Sequence, residues 1–371
     1  SNNTWGLGLD ETGEVFVSTA NHDQINHLGL ANRVYESVAG WSGRSVRFIG
    51  DYRAFHPLTT AVRQVDWQGG FSAAAGCALY TARVFPESYW NRVAFIAEPT
   101  GHLVHASRLE ERGAGFVAQD GGNLFASRDE WCAPIAAEVG PDGAVWVLDW
   151  YDYIVQHNPT PEGFETGAGN AYETPLRDKE RARIWRLFPS RGNLNAVPLL
   201  RAMPPDEILA LLEHENLFWR LRAQERIVAD RRTELIPALI ERTASVRLDG
   251  IGNDPGALHA LCALAGLGNF QRDDAQSRST LARALTHPAA AVRRCALRCL
   301  PRAAGWAPAL RAAGVLADPD AKVRREALLA LSELPPDDSL GADLLLRLQG
   351  SDDLLDPWLA EGDVLLGLSV H

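Results

Sequence analysis

Hydrophobic and polar residues alternate along the first half of the chain, then recur at three- and four-residue spacing along the second. Residues 5–20 read WGLGLDETGEVFVSTA, and residues 135–150 read IAAEVGPDGAVWVLDW, position for position the same pattern. Each has an alternating strand, a turn closed by Gly13 or Gly143, and a second strand, Val15-Phe16-Val17 or Val145-Trp146-Val147. Glycine there supplies the positive φ that a tight hairpin requires. A third copy is disguised: Phe95-Ile96-Ala97-Glu98 matches Trp146-Val147-Leu148-Asp149, with residues 85–92 replacing the short turn. Residues 182–188, ARIWRLF, alternate again and read as one more strand. Hairpin units repeated in this way predict blades of a β-propeller, partial and of the six-bladed type.

From Pro205 the spacing becomes helical. Ile208, Leu209, Leu211 and Leu212 form one apolar stripe, and the chain turns at Glu215-Asn216 into a second helix. Residues 287–300, HPAAAVRRCALRCL, and 318–331, DPDAKVRREALLAL, share eight of 14 positions. His214, Arg220 and Ala223 correspond in an earlier copy to His287, Arg293 and Ala296, and residues 256–268 supply another helix. The expected architecture is therefore a propeller segment over 1–190 followed by an α-α superhelix of HEAT-like repeats over 191–371, the last repeat fraying near 340–366. A His-Pro or Asp-Pro turn is expected to start each second helix, with proline in its first turn. Arg220, Arg293, Arg294, Arg324 and Arg325 read as side chains pairing with a neighbouring repeat's acid or turn carbonyls, and His259 as a helix-interface residue. The solenoid is a scaffold, since one helix pair cannot hide its own apolar stripe.

Composition is that of a globular protein, 46% apolar and 22% charged over 371 residues. The net charge of −11 argues against nucleic acid and anionic membranes as partners. No apolar run reaches the roughly 20 residues that span a bilayer. Starting at Ser1 rather than Met, the chain reads as a processed or excised piece. Five cysteines show no framework spacing. Cys295 and Cys299 share a helix face without favouring a disulfide. With Cys262 they read as small apolar fillers or, alternatively, a metal pair. No Cys-x-x-Cys-His haem attachment occurs.

Candidate chemistry collects after the second strands. If Thr19, Glu98 and Asp149 are equivalent, Glu98 and Asp149 both reach one rim of the propeller channel. Near them stand Asn21 and His22, Thr100 and His102, then Trp150, Asp152 and His157. Oxygen and imidazole groups at a concave mouth suit a hard cation such as Ca²⁺ or a polar ligand, or take a proton from an alcohol. Glu98 and Asp149 are the candidate metal ligands; Glu98, Thr100, Asp149, Trp150 and Asp152 the candidate cofactor contacts; His22, His102 and His157 the candidate bases. An acid after such a strand equally serves to bond backbone N–H groups in a turn. Residues 157–179, rich in Pro, Gly, Asn and Thr, read as a long loop over the mouth or against the solenoid.

Residues 62–104, 129–161 and 183–188 (VRQVDWQGGFSAAAGCALYTARVFPESYWNRVAFIAEPTGHLV, DEWCAPIAAEVGPDGAVWVLDWYDYIVQHNPTP and RIWRLF) resemble the PVC-type membrane-bound dehydrogenases. That family is similar in its propeller to soluble quinoprotein glucose and sorbosone dehydrogenases. The resemblance implies an extracytoplasmic, periplasmic protein that oxidises a sugar or polyol with pyrroloquinoline quinone (PQQ) and Ca²⁺. Electrons would pass to a c-type haem domain absent from this piece. It also implies that the first blades are missing, and the family's catalytic histidine belongs to that earlier part. The alternative is a scaffold without chemistry that binds carbohydrate, a protein partner or the cytochrome domain.

Overall fold

In a computed structural model, the chain is described over residues 4–21, 23–36, 45–64, 68–155, 162–163, 165, 174–177, 180–191, 193–198, 203–335, 341–342 and 352–361. Two units divide it. The strand unit comprises Ser1–Leu28, Val46–Glu111 and Phe116–Val197; the helical unit comprises Gly29–Ser45, Arg112–Gly115 and Pro198–His371.

Three antiparallel sheets make the strand unit, each a meander in chain order and none closed on itself. The first holds β1 (Thr4–Leu9), β2 (Val15–Thr19), β3 (Asn26–Leu28) and β4 (Arg47–Phe48). The second holds β5 (Ala75–Leu79), β6 (Val93–Glu98), β7 (Leu103–Arg112) and β8 (Gly115–Ala126); the third holds β9 (Pro134–Val139), β10 (Val145–Asp149) and β11 (Arg183–Leu187). Both glycine-closed hairpins form, with Gly13 at φ 83° and Gly143 at φ 79°. Asp10 shapes the first, accepting the N–H groups of Thr12 and Glu14 at 2.8 Å each. The disguised copy is real: β5 pairs β6, and a 3₁₀ turn at Glu87–Tyr89 fills the longer connection.

The sheets lie face to face with their first strands adjacent, β5 between β1 and β9. Backbone approach there is close because glycine leaves room for it. A Cβ on Gly8 would stand 1.7 Å from the Cys77 carbonyl oxygen, and one on Gly6 2.3 Å from the Gly76 carbonyl carbon. Gly76 in turn meets the Ala136 backbone, where a Cβ would stand 3.6 Å from its Cα. Ser18 seals the first contact by donating to the Gly76 carbonyl at 2.9 Å. One apolar core, with Phe16, Ile25, Phe71, Leu79 and Ile96, fills the space between the first and second sheets. Another, with Phe95, Val104, Ala137, Val145 and Val147, fills that between the second and third. β6 is buried on both faces, which is why VAFIAE carries almost no polar residue.

In the helical unit α1 (Asn32–Glu36) precedes α2 (Pro205–Leu211), α3 (Leu217–Ala229), α4 (Ile236–Ala244), α5 (Pro255–Gly266), α6 (Ala275–Ala284), α7 (Ala290–Arg298), α8 (Ala307–Ala313) and α9 (Ala321–Glu333). Alternate helices pack together, α3, α5, α7 and α9 in one layer and α4, α6 and α8 in the other. Of the repeated arginines, Arg220, Arg293 and Arg324 behave as their positions suggest, whereas Arg325 departs from expectation and donates to the Ala114 carbonyl at 2.6 Å, outside the helical repeats. Arg293 donates to the His287 carbonyl at 2.7 Å and pairs with Asp318 at 2.7 and 2.8 Å. Arg324 donates to the Asp318 carbonyl at 2.6 Å and pairs with Asp353 at 2.9 and 2.7 Å. Arg220 reaches the His214 carbonyl at 2.6 Å, the same bond one copy earlier. His259 lies in the helix interface with Nδ1 2.8 Å from the Gln224 amide oxygen. One detail differs from expectation. Pro288 and Pro319 stand ahead of the N-cap residues Ala289 and Asp320, outside the first turn, where their carbonyls accept from Arg293 and Arg324 instead.

Gly8→Ala should force β1 away from β5 and weaken the strand unit by about 2–4 kcal/mol. Urea unfolding followed by tryptophan fluorescence measures this, and a loss below about 0.5 kcal/mol would mean that the first strands are not held at backbone contact.

Candidate functional site

The chain turns a corner after the second strand of each sheet, and at each corner a non-glycine residue has positive φ: Asn21 at 64°, His102 at 59° and Tyr151 at 59°. Thr19, Glu98 and Asp149 end those strands, at equivalent places. Both carboxylates are buried, and both face the backbone that leads into their own sheet. Glu98 accepts the N–H groups of Ser72, Ala73 and Ala74 at 2.9, 3.1 and 3.3 Å, just ahead of β5. Its other oxygen takes the Ser72 hydroxyl at 2.9 Å and the Thr100 N–H at 3.3 Å. Asp149 accepts the N–H groups of Ala133 at 2.8 Å and Tyr151 at 3.0 Å on one oxygen. On the other it takes Arg183 Nε at 2.8 Å and Trp185 Nε1 at 3.0 Å.

Further bonds join the first two corners to the sheet that follows each. Asn21 donates its N–H to the Ser72 carbonyl at 3.1 Å. His102 plays the matching part, Nδ1 lying 2.7 Å from the Cys132 carbonyl and Nε2 3.2 Å from that of Ala61. Backbone carbonyls lie beside both ring nitrogens, one of which can be a donor in the neutral imidazole, so His102 packs between backbone segments at this corner. Thr100 is buried against Glu98; Asp152 is buried with Oδ1 accepting the Ile154 N–H at 3.0 Å; Trp150 is partly exposed and donates its backbone N–H to Ala133 at 2.9 Å. His22 and His157 lie outside the described residues, as does most of the 157–179 loop. Among the described residues no three His, Cys, Asp or Glu side chains are placed to hold a metal ion. The oxygens of Glu98 and Asp149 are engaged by fixed donors and do not fit a Ca²⁺ or PQQ site.

A different cluster stands beside the Asp149 corner. Trp131, Tyr151 and Tyr153 gather with ring centroids 6.0 Å (Trp131–Tyr151) and 5.3 Å (Trp131–Tyr153) apart, all partly exposed. The Arg63 guanidinium lies 3.4 Å over the Tyr153 ring and pairs with Glu130, while Arg183 lies 4.0 Å over the Tyr151 ring and reaches Asp129 at 3.0 Å. Aromatic faces bordered by guanidinium and carboxylate groups suit a flat, hydroxyl-rich ligand. Sequence reasoning passed over Arg63, Trp131, Tyr153 and Arg183. The WYDY run at 150–153 was the available signal.

A second unanticipated group joins β7 and β8 of the second sheet to the loop that carries His56. His56 Nε2 is 2.6 Å from an Asp120 oxygen, and His105 Nε2 is 3.6 Å from the other. His105 is fully buried against Tyr52 and Phe71, with neither ring nitrogen hydrogen-bonded. Burial, opposed by the Asp120 charge and reinforced by His56, lowers its pKa to about 4. Burial also raises Asp120, but the His56 hydrogen bond, the Gly122 N–H and His105 outweigh it and hold the carboxyl below its usual range.

Residues 1–191 match the sequence profile described as Domain of unknown function (DUF7133). No curated protein matches. Among solved structures, a protein named "putative oxidoreductase (glucose dehydrogenase)" from Thermus thermophilus aligns at 18% identity and a TM-score of 0.25. The alignment takes in 50% of this chain and 45% of that one, so the chain spans less than half of that protein's length.

Glu98→Ala and Asp149→Ala should each destabilise the strand unit by about 3 kcal/mol, because both strand buried N–H groups without an acceptor; a melting temperature within a degree of the parent's would show the corners to be dispensable. His105 takes a proton near pH 4 in the folded chain and near 6.5 in the unfolded one. Protons thus bind the unfolded state first. Stability is undiminished above about 6.5, falls as pH drops between the two values, and is lower by about 3 kcal/mol near pH 4. Denaturation of the parent and of His105→Phe across that range should show a shallower fall in the variant; equal slopes would place the titration elsewhere.

Proposed function

The chain belongs, over residues 1–191, to the DUF7133 family, and from that premise we propose that it is a dehydrogenase-like module whose own described residues bind a sugar or polyol. The observation that carries this reading is the aromatic, arginine and carboxylate cluster of Trp131, Tyr151, Tyr153, Arg63 and Glu130. Pyranose rings and polyol chains stack their C–H faces on such rings, while the flanking charged groups meet the hydroxyls.

Under this reading the three sheets are consecutive blades of a propeller of the quinoprotein glucose and sorbosone dehydrogenase kind, and the paired helices are HEAT-like repeats. Support comes from one meander used three times, with first strands in backbone contact and matching corners. The outer flanks support it as well. Trp5, Leu7 and Leu9 are exposed on the face of β1 opposite Gly6 and Gly8, and Leu148 and Ile184, which are cross-strand neighbours, are exposed on the third sheet. Neighbouring blades in a ring would cover both. The PVC-type resemblance adds an extracytoplasmic location and a c-type haem domain as electron acceptor, docking through the helical repeats. PQQ would supply the hydride-accepting chemistry in such an enzyme. With their oxygens already taken by fixed donors, Glu98 and Asp149 hold the blades under this reading rather than the cofactor. No helix among the described residues is long and apolar enough to cross a membrane.

Intrinsic tryptophan fluorescence titrated with a panel of hexoses, pentoses and alditols should give saturable quenching for at least one class. Trp131→Ala and Tyr153→Ala should weaken that binding by about tenfold or more, or about 1.4 kcal/mol. A flat response across the panel would remove the sugar-binding reading. Calorimetric titration with PQQ in the presence of Ca²⁺ should give no saturable heat that Glu98→Ala or Asp149→Ala abolishes; if either variant did abolish one, these acids would be ligands after all.

A further inference from the structure

Three cysteines meet in the helical unit, Cys262 from one helix and Cys295 and Cys299 from another 33 or more residues on. Cys262 on α5 and Cys295 on α7 bring their sulfur atoms to 3.6 Å, and the Cys299 sulfur stands 4.0 Å from that of Cys295. All are free thiols; Cys295 is buried, whereas Cys262 and Cys299 are partly exposed. α5 and α7 belong to the same layer and pack directly on each other.

A disulfide is about 2.05 Å long, so Cys262 and Cys295 are roughly 1.5 Å short of a bond, a gap that side-chain rotation can close. Cys295 and Cys299 are less suited, since four residues on one helix are about 6 Å apart along its axis and their Cβ atoms do not converge. We propose that Cys262 and Cys295 are a thiol pair that forms a disulfide by exchange with an external disulfide, tying α5 to α7. The partly exposed Cys262 thiolate attacks one sulfur of the external disulfide, forming a mixed disulfide and releasing one thiolate. The Cys295 thiolate then attacks the Cys262 sulfur, closing the protein bond and expelling the second thiolate. The leaving groups take up the two protons that the cysteines lost. Two protein thiols are oxidised by two electrons, and one external disulfide is reduced to two thiols.

The pair's surroundings set its rate. The neighbouring Cys295 sulfur and burial raise the Cys262 thiol well above its ordinary value, so the reactive thiolate is scarce at neutral pH. Exchange should therefore accelerate about tenfold per pH unit through the neutral range. The linkage closes a loop between helices two apart in the repeat, which removes freedom from the unfolded chain.

The test is incubation of the native protein with glutathione disulfide at about pH 8.5, near the ordinary thiol pKa, followed by alkylation, digestion and non-reducing mass spectrometry. A linked peptide pair carrying Cys262 and Cys295 is expected, with the thiol count falling from five to three. The melting temperature should rise by several degrees and return on reduction with dithiothreitol. Cys299→Ser should keep the linkage, and Cys295→Ser should stop at the Cys262 mixed disulfide. Five titratable thiols after incubation, a mixed disulfide that never closes in the parent, or a Cys295–Cys299 linkage would each overturn the proposal. The parent protein alone decides between these outcomes, so a variant that fails to fold does not obscure them.

Discussion

Backbone groups turned away from water at the ends of repeating elements must find partners, and in two of the three sheets, as in the helical copies of Arg293 and Arg324, one charged side chain supplies them. In the strand unit the side chain is an acid. Glu98 and Asp149 each draw in N–H groups from the segment entering their own sheet. In the helical unit it is an arginine, with Arg293 and Arg324 each taking a turn carbonyl of their own repeat and an aspartate of the next. The chemical logic is the same with the sign reversed. Strand ends offer donors and receive carboxylates; helix turns offer carbonyls and receive guanidinium groups. Charge-assisted bonds of this kind are stronger than neutral ones, and losing one partner leaves several backbone groups orphaned at once. That makes each unit dependent on a few residues outside its apolar core.

This constraint decides which residues are available for chemistry. An acid at the end of an inner strand looks like a rim ligand from sequence, because position and residue type agree. The environment then determines its use: a carboxylate already holding four or more donors has no lone pair to give a cation without releasing a loop. Trp131, Tyr151 and Tyr153 are under no such obligation. Their side chains are partly exposed, and Arg63 covers one face of Tyr153 and Arg183 one face of Tyr151. The candidate site thus moves a short way along the chain from Asp149, from the residue that fixes the corner to those the corner displays.

The hairpins, the two repeat types and the helical arginine bonds were legible because each rests on short-range spacing. A Gly at the turn and alternation on either side define β1–β2 and β9–β10 without tertiary help, and the matched residues at 214, 287 and 318 define the helical turns. What escaped depends on partners distant in sequence. His105 sits in an alternating strand and looks like any inward residue; only the fold brings Asp120 and His56 to it. Arg63 meets Glu130 and Tyr153 in the same way. Cys262 and Cys295 show no spacing that marks a pair, yet helices α5 and α7 bring their sulfurs into contact. The β7–β8 hairpin was missed for another reason: GFVAQDGGNLFA mixes polar and glycine residues through a 12-residue strand, so no clean period of two survives.

The flanks of the strand unit carry the last inference about its architecture. A sheet covered on both faces reads as a continuous apolar run, and a sheet with one face in water should alternate with polar residues on the wet side. β6 obeys the first rule, its six residues all buried. β1 breaks the second, because the positions facing away from β5 are Trp5, Leu7 and Leu9. Leu148 and Ile184 break it on the opposite flank. Isolated exposed apolar residues need no explanation, but rows of them along two flanks of one stack do. β5 already receives one sheet on each side through glycine and alanine contacts, and under the proposed propeller reading the apolar rows on β1 and β10 are where further sheets would pack in the same way.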